Sequence, residues 1–310
     1  MKLAVFFVGE LNDGGFNSSA LAGVEAARGR GDAEILIVND VPYQQDDIKQ
    51  RLSQVAEEVD GVVFIGGQGD VAMPAIATEH PDKRFAVIQG QRLGKNLAAY
   101  DVRQEDSAFL AGCLAARLSK TGTVAHLSGH RVRPGLKGRA AFVGGVHHVD
   151  PAMTVLTGFC GTQDDNEVTR IWADAQFASG ADILFTMLNG ARQGAIDACR
   201  AYGVRQIGNA LDWCVRDPEV FVGSALARID LGVETAIADM IDDRTPDDVV
   251  EFGIGEGNFV RLSMDSSVAE PVQREIQTIA GQIKAGLLPV PTDYDGAEFT
   301  VPEASCSKHA

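Results

Sequence analysis

The residues best suited to chemistry lie in short glycine-rich segments. The first, Gly9–Asn17 (GELNDGGFN), sets Phe16 beside Asn17 and a short step from Asp13. A phenylalanine exposed among polar neighbours suits stacking on a flat ring, with hydrogen-bonding groups alongside. The competing reading is that Asn17 or Ser18 caps a helix and Phe16 plugs its edge, and loop position alone leaves both open. A second segment, Gly66–Asp70 (GGQGD), lacks the Lys-Ser/Thr of a phosphate-binding loop and the GxGxxG spacing, so it reads as a tight turn capped by Asp70. Further on, Gln89 and Gln91 follow an apolar run, and Asp101 and Arg103 stand where the pattern of elements starts afresh. Four later loops complete the set: 128–133, 159–165, 188–192 with Asn189, and 209–213 with Asp212 and Trp213. Trp213 reads equally as the second half of an aromatic sandwich and as a partly buried loop anchor.

Catalytic patterns are missing. There is no GxSxG elbow, no HExxH and no CxxC pair. Asp164-Asp165 and Asp242-Asp243 are adjacent, so each pair diverges and reads as caps or surface, and His147-His148 reads as solvated. No cofactor or metal motif is found. The expectation is therefore a binding protein and not an enzyme.

The elements that position these loops are legible. Apolar runs such as KLAVFFV, EILIV, GVVFI and RFAVI alternate with helical stretches, and the alternation recurs after residue 103. Continuous apolar runs mean strands covered on both faces. Strand–helix alternation with short Gly/Asp turns means doubly wound parallel sheets, so the fold class is α/β with two lobes. The expected division is residues 1–103 plus about 231–262 in an N-terminal lobe, and 104–230 plus about 263–310 in a C-terminal lobe. The helix from EDSAFLAGCLAARLS is expected to be capped by Asp106 or Ser107. In such sheets ligands sit beyond the carboxyl ends of the strands, where the loops named above would lie.

Composition narrows the partners. Of 310 residues, 27 are Lys or Arg and 43 Asp or Glu, a formal charge of -16. Nucleic acid and anionic membrane both call for a basic face, so neither is expected. No run approaches the roughly 20 apolar residues that span a bilayer, so direct membrane insertion is not expected. No leader precedes the first strand, which makes the chain either cytoplasmic or a trimmed mature form. Five scattered cysteines make a disulfide framework improbable and lean towards a reducing compartment.

Ordered motifs then carry a resemblance over nearly the whole chain. They are DGGFN at 13–17 with Gly23 in a small-residue helix, HPDKRFAVI at 80–88, EDSAFLAGCLAARLSKTG at 105–122, GADILF at 180–185 and IKAGLLPVP at 283–291. With these the chain resembles the basic membrane protein (BMP) family of ABC-transporter substrate-binding proteins, whose members include purine nucleoside receptors. The resemblance implies a type I periplasmic-binding fold with an interlobe cleft, hinge closure on a small molecule, an ABC permease as partner if the chain is exported, and a periplasmic or extracellular setting. It matches Phe16 to a stacking phenylalanine, Asp13 and Asn17 to the polar part of that motif, and Gly69-Asp70 to the loop after the third strand. Two positions depart from it. Ala210 stands where an Asp that binds ribose hydroxyls is usual, and Ala227 where a Lys is usual three residues before Asp230. Without those groups a ribose gains nothing, so the expected ligand is a purine-like nucleobase or similar flat heterocycle, with Trp213 filling part of the sugar's space. The alternatives are a cytoplasmic ligand sensor of the same fold and a nucleoside-, riboflavin- or sugar-binding member; an enzyme acting on nucleobases ranks last.

Overall fold

The structure is a computed structural model describing residues 1–31 and 33–302; Cys306 lies outside them. The chain divides into two compact units, Met1–Val102 with Arg228–Phe252, and Arg103–Ala227 with Gly253–Ala310. Unit 1 begins with β1 (Lys2–Val8), α1 (Phe16–Arg30), β2 (Glu34–Val41), α2 (Gln45–Glu58), β3 (Gly61–Ile65), α3 (Gly69–Glu79), β4 (Arg84–Ile88) and β5 (Leu97–Val102). Unit 2 follows with α4 (Gln104–Leu118), β6 (Thr123–Ser128), α5 (Arg133–Val149), β7 (Thr154–Phe159), α6 (Asn166–Ala178), β8 (Ile183–Met187), α7 (Arg192–Tyr202), β9 (Arg205–Ala210), α8 (Trp213–Arg216) and β10 (Phe221–Ala227). The chain returns to unit 1 for α9 (Ile229–Ile241) and β11 (Val250–Phe252), then ends in unit 2 with β12 (Val260–Met264) and α10 (Glu270–Lys284).

The sheet of unit 1 has the order β11-β5-β4-β3-β1-β2, with every pairing parallel. Its central strands are apolar throughout because helices cover both faces; β3 is buried at every residue. One core gathers Phe6, Phe64 and Phe85 with Ile48, Leu52 and Met73 of the covering helices. On the other side α1 meets α9 at Gly23, where a Cβ would come within 2.3 Å of the Asp230 carbonyl oxygen. Only glycine lets the two backbones approach so closely.

Unit 2 has the order β12-β10-β9-β8-β6-β7. Five strands are parallel, while β12 runs antiparallel to β10. The expected boundary near residue 262 is therefore displaced. Residues 253–262 belong to unit 2, because Val260, Arg261 and Leu262 pair with Ala227, Leu226 and Ala225. The long amphipathic helix α10 drives Ile276, Ile279 and Ile283 into the same core as Phe109, Phe142 and Phe185. The cap expected for α4 is corrected too: the helix starts at Gln104, so Asp106 and Ser107 lie inside it, buried. Asp106 instead accepts from Arg103 and from the amide of Ile254 (3.2 Å), and burial holds its carboxyl above the usual range.

Candidate functional site

In each sheet the strand order reverses at one point, between β1 and β3 in unit 1 and between β6 and β8 in unit 2. Loops leaving such neighbours diverge and open a crevice at their carboxyl ends.

In unit 1 those loops are Gly9–Gly15 and Gly66–Gln68. Asp13 organises the first. Its carboxylate, 4% exposed, accepts from the amides of Gly15 (2.8 Å), Asn17 (3.0 Å) and Ser18 (3.0 Å). It thereby satisfies donors at the start of α1, so the cap is Asp13 and neither Asn17 nor Ser18. Asn17, also buried, turns its Nδ2 back to the carbonyls of Val8 (2.9 Å) and Glu10 (2.8 Å). Asp13 thus ties the loop to the start of α1, and Asn17 ties it to the end of β1. The residue they carry, Phe16, opens α1 and stays half-buried. Its ring edge lies 4.0 Å from where a Cβ on Gly66 would sit. Gly66 has φ +112, a conformation glycine alone adopts without strain. The ring thus rests at the crevice between β1 and β3, against a residue with no side chain.

The other candidates of unit 1 serve the same frame. Asp70 does not cap α3; its Oδ1 accepts from the amides of Gln91 (2.8 Å) and Arg92 (3.1 Å) and secures the loop after β4. Gln89, with φ +66, exchanges two hydrogen bonds with the backbone of Val102 (2.7 and 3.0 Å). Asp101, buried in β5, accepts from Gln91 Nε2 at 2.9 Å. Gly69 is required by packing, since a Cβ there would meet Val87 at 2.7 Å and Phe64 at 2.8 Å.

In unit 2 the crevice loops are Gly129–Val132 after β6 and Leu188–Ala191 after β8. Beneath the first, the Ser128 hydroxyl meets His126 Nε2 (2.8 Å) and His126 Nδ1 meets Thr157 Oγ1 (2.9 Å). Full burial drives the His126 pKa down to about 3, so the imidazole is neutral and structural. Asn189, half-buried, sits in the second loop, and its carbonyl accepts from the amide of Arg192 at 3.2 Å. The Arg192 guanidinium is buried and donates to Asn209 Oδ1 (2.7 Å), Thr186 Oγ1 (3.1 Å) and the Leu188 carbonyl. It also lies 4.5 Å from the Trp213 ring centroid, with Arg216 at 5.2 Å. Trp213 packs on Gly208, where a Cβ would fall 2.6 Å from its ring, and on Phe221. These contacts describe a loop anchor. Asp212 beside it accepts from Ser263 at 2.9 Å. Both residues follow β9, one strand away from the crevice.

The Bmp family model, described as ABC transporter substrate-binding protein PnrA-like, matches residues 1–293. The chain belongs to the Bmp family. Basic membrane protein A of Borreliella burgdorferi is 22% identical over 306 residues, covering 96% of this chain and 89% of that protein. An uncharacterized lipoprotein of Pyrococcus furiosus is 25% identical over 285 residues, covering 86% and 71%. Among solved structures, a solute-binding protein of an ABC transporter system from Aeropyrum pernix superposes with a TM-score of 0.83 at 21% identity, covering 95% of this chain and 94% of that one. A transcriptional activator of the comK gene from Bacillus halodurans superposes with 0.74 at 18% identity, covering 93% and 100%. These likenesses establish the periplasmic-binding-protein-like fold. The family is one of ABC-transporter substrate-binding proteins.

Within that family frame, the two departures of this chain are both buried. Ala210 ends β9 with φ +64, and Ala227 ends β10, 1% exposed; neither offers a polar side chain. Asp230 is gripped by Arg228, whose Nε lies 2.9 Å from each carboxylate oxygen. Sequence reasoning reached Ser128 and Arg192 only as members of the loops 128–133 and 188–192 and missed His126 and Thr157. Their distant partners, Thr157 of β7 for His126 and Asn209 of β9 for Arg192, carry no local pattern that marks them. Among the described residues no cluster of His, Cys, Asp and Glu could hold a metal, and no helix is long and apolar enough to cross a membrane.

Proposed function

We propose that this Bmp-family protein captures a purine-like nucleobase, or a comparably flat uncharged heterocycle, for an ABC-type importer. The observation carrying this reading is the partly exposed Phe16 ring at the β1/β3 crevice, on a loop fixed by Asp13 and Asn17. A ring held in one place stacks at little cost in conformational entropy. Ala210 and Ala227 leave no side chain to hydrogen-bond a ribose there, which favours the base over its nucleoside. In the proposed mechanism Phe16 stacks on the ligand, and the crevice loops of unit 2, Ser128–Val132 and the loop of Asn189, are binding loops by the same rule. Asp13, Asn17, Asp70, Gln89 and Trp213 act by positioning. The mature chain would then work outside the cytoplasmic membrane, beside a permease.

The test is a mass spectrum of whatever stays bound after gentle purification, followed by titration of adenine, guanine, xanthine and their nucleosides. Tighter binding of the nucleosides would overturn the preference for a base, and a co-purified sugar or flavin would overturn the ligand class. One observation favours a second reading. Cys113, Cys160, Cys199 and Cys214 are all free thiols, which suits a ligand sensor of the same fold in a reducing compartment. Fractionation of native cells separates the two.

A further inference from the structure

The chain beyond α10 is not a loose end. Pro291 lies over Gly144 of α5, where a Cβ would come within 2.4 Å of its ring. The Tyr294 ring stands 4.5 Å from the Arg139 guanidinium, and its hydroxyl donates to the Ala297 carbonyl at 2.8 Å. The amide of Phe299 donates to the Thr157 carbonyl (2.8 Å) on the outer edge of β7, and its ring meets Trp172 edge-on. Between them Glu298 receives two arginines: Arg131 Nη1 at 2.8 and 3.0 Å, and Arg139 Nη1 at 2.6 Å. Arg139 is almost wholly buried, whereas the Arg131 side chain is 54% exposed. Both guanidinium groups also lie over the Phe159 ring, at 4.8 and 5.3 Å. Arg131 belongs to the loop after β6, at the crevice of unit 2. Tyr294, Glu298 and Phe299 all fall past residue 293, where the family match ends.

We propose that Tyr294–Phe299 is a strap across unit 2 and that Glu298 is a positioning residue for ligand binding, acting through Arg131 on the Gly129–Val132 loop. This rests on the reading that the crevice loops bind the ligand. The strap is well placed for the task. Its ends are tied to an edge strand and to α5, and its Glu298 carboxylate joins a buried cation to an exposed one. A carboxylate shared by two guanidiniums has strong, directional bonds. Holding Arg131 down orders the loop before the ligand arrives, so less ordering remains to oppose binding.

The test compares the wild-type chain with Glu298→Gln, Glu298→Asp and Arg131→Gln. Arg131→Gln leaves the Arg139–Glu298 pair intact and therefore keeps the buried cation compensated. Two readouts are taken: hydrogen exchange and tryptic cleavage at Arg131 in the ligand-free protein, and affinity for adenine, guanine and xanthine. Expected are faster exchange over residues 129–132, faster cleavage in Glu298→Gln and a roughly 3- to 10-fold loss of affinity for whichever base binds in both Gln variants. Combining the two should be no worse than either alone, and Glu298→Asp should retain most of the affinity. Wild-type exchange in Glu298→Gln, or additive losses in the double variant, would overturn the strap's positioning role. If the wild-type chain binds none of the bases, the ligand reading fails, and exchange at 129–132 still decides whether the strap orders the loop.

Discussion

Replacing Phe16 by Ala tests the stacking directly. The ring is half-buried and leaves roughly 40 Å² for a ligand to cover, worth about 1 kcal/mol at ~25 cal/mol per Å². Ring stacking adds about 1 kcal/mol. The sum of about 2 kcal/mol corresponds to some 30-fold weaker binding. Stability should fall as well, because most of the ring is covered and its packing is lost with it, but Asp13 and Asn17 hold the loop through backbone groups that the substitution leaves in place, so the folded variant keeps the crevice. Isothermal titration with the tightest-binding base gives the first quantity, and urea unfolding the second. An affinity unchanged within a factor of two would place the ligand elsewhere.

Asp13→Ala strips three backbone amides of their acceptor at the start of α1 and should cost about 2 kcal/mol, read as a lower melting temperature and faster exchange at Asn17 and Ser18. Gly23→Ala forces α1 away from the Asp230 carbonyl and should destabilise by about 1–3 kcal/mol in thermal unfolding; a neutral result would show the helices free to part. His126 has a folded pKa near 3 against 6.5 when unfolded, so the stability it contributes is fully present above about 6.5 and drains away as pH falls towards 3. Urea unfolding at pH 7, 5 and 4 should show that slope, and His126→Gln should flatten it. Glu298 is held down to about 2 by Arg131 and Arg139, so its contribution is present above about 4.5 and lost as pH falls to 2; Glu298→Gln should remove that lower limb of the profile.

The alternation of apolar runs and helical stretches, read with no more than residue types, determined that this protein has two mainly parallel α/β sheets. That worked because strands covered on both faces must be apolar at every position, a property of local sequence. The DGGFN motif likewise marked Phe16 and the loop that carries it, since a tight glycine turn before a helix is written in consecutive residues. What tertiary structure alone decided is which distant backbone groups the polar side chains of these loops bond. Asp70 and Gln89 look alike in sequence as binding residues, yet each bonds backbone that folding brings alongside. The same holds for β12. Its residues read as a strand, but their place in unit 2 depends on pairing with β10, some forty residues earlier in the chain. Arg192, Arg131 and Glu298 carry no local signature either, because a charge acquires its role from partners that only the folded chain sets within hydrogen-bonding reach.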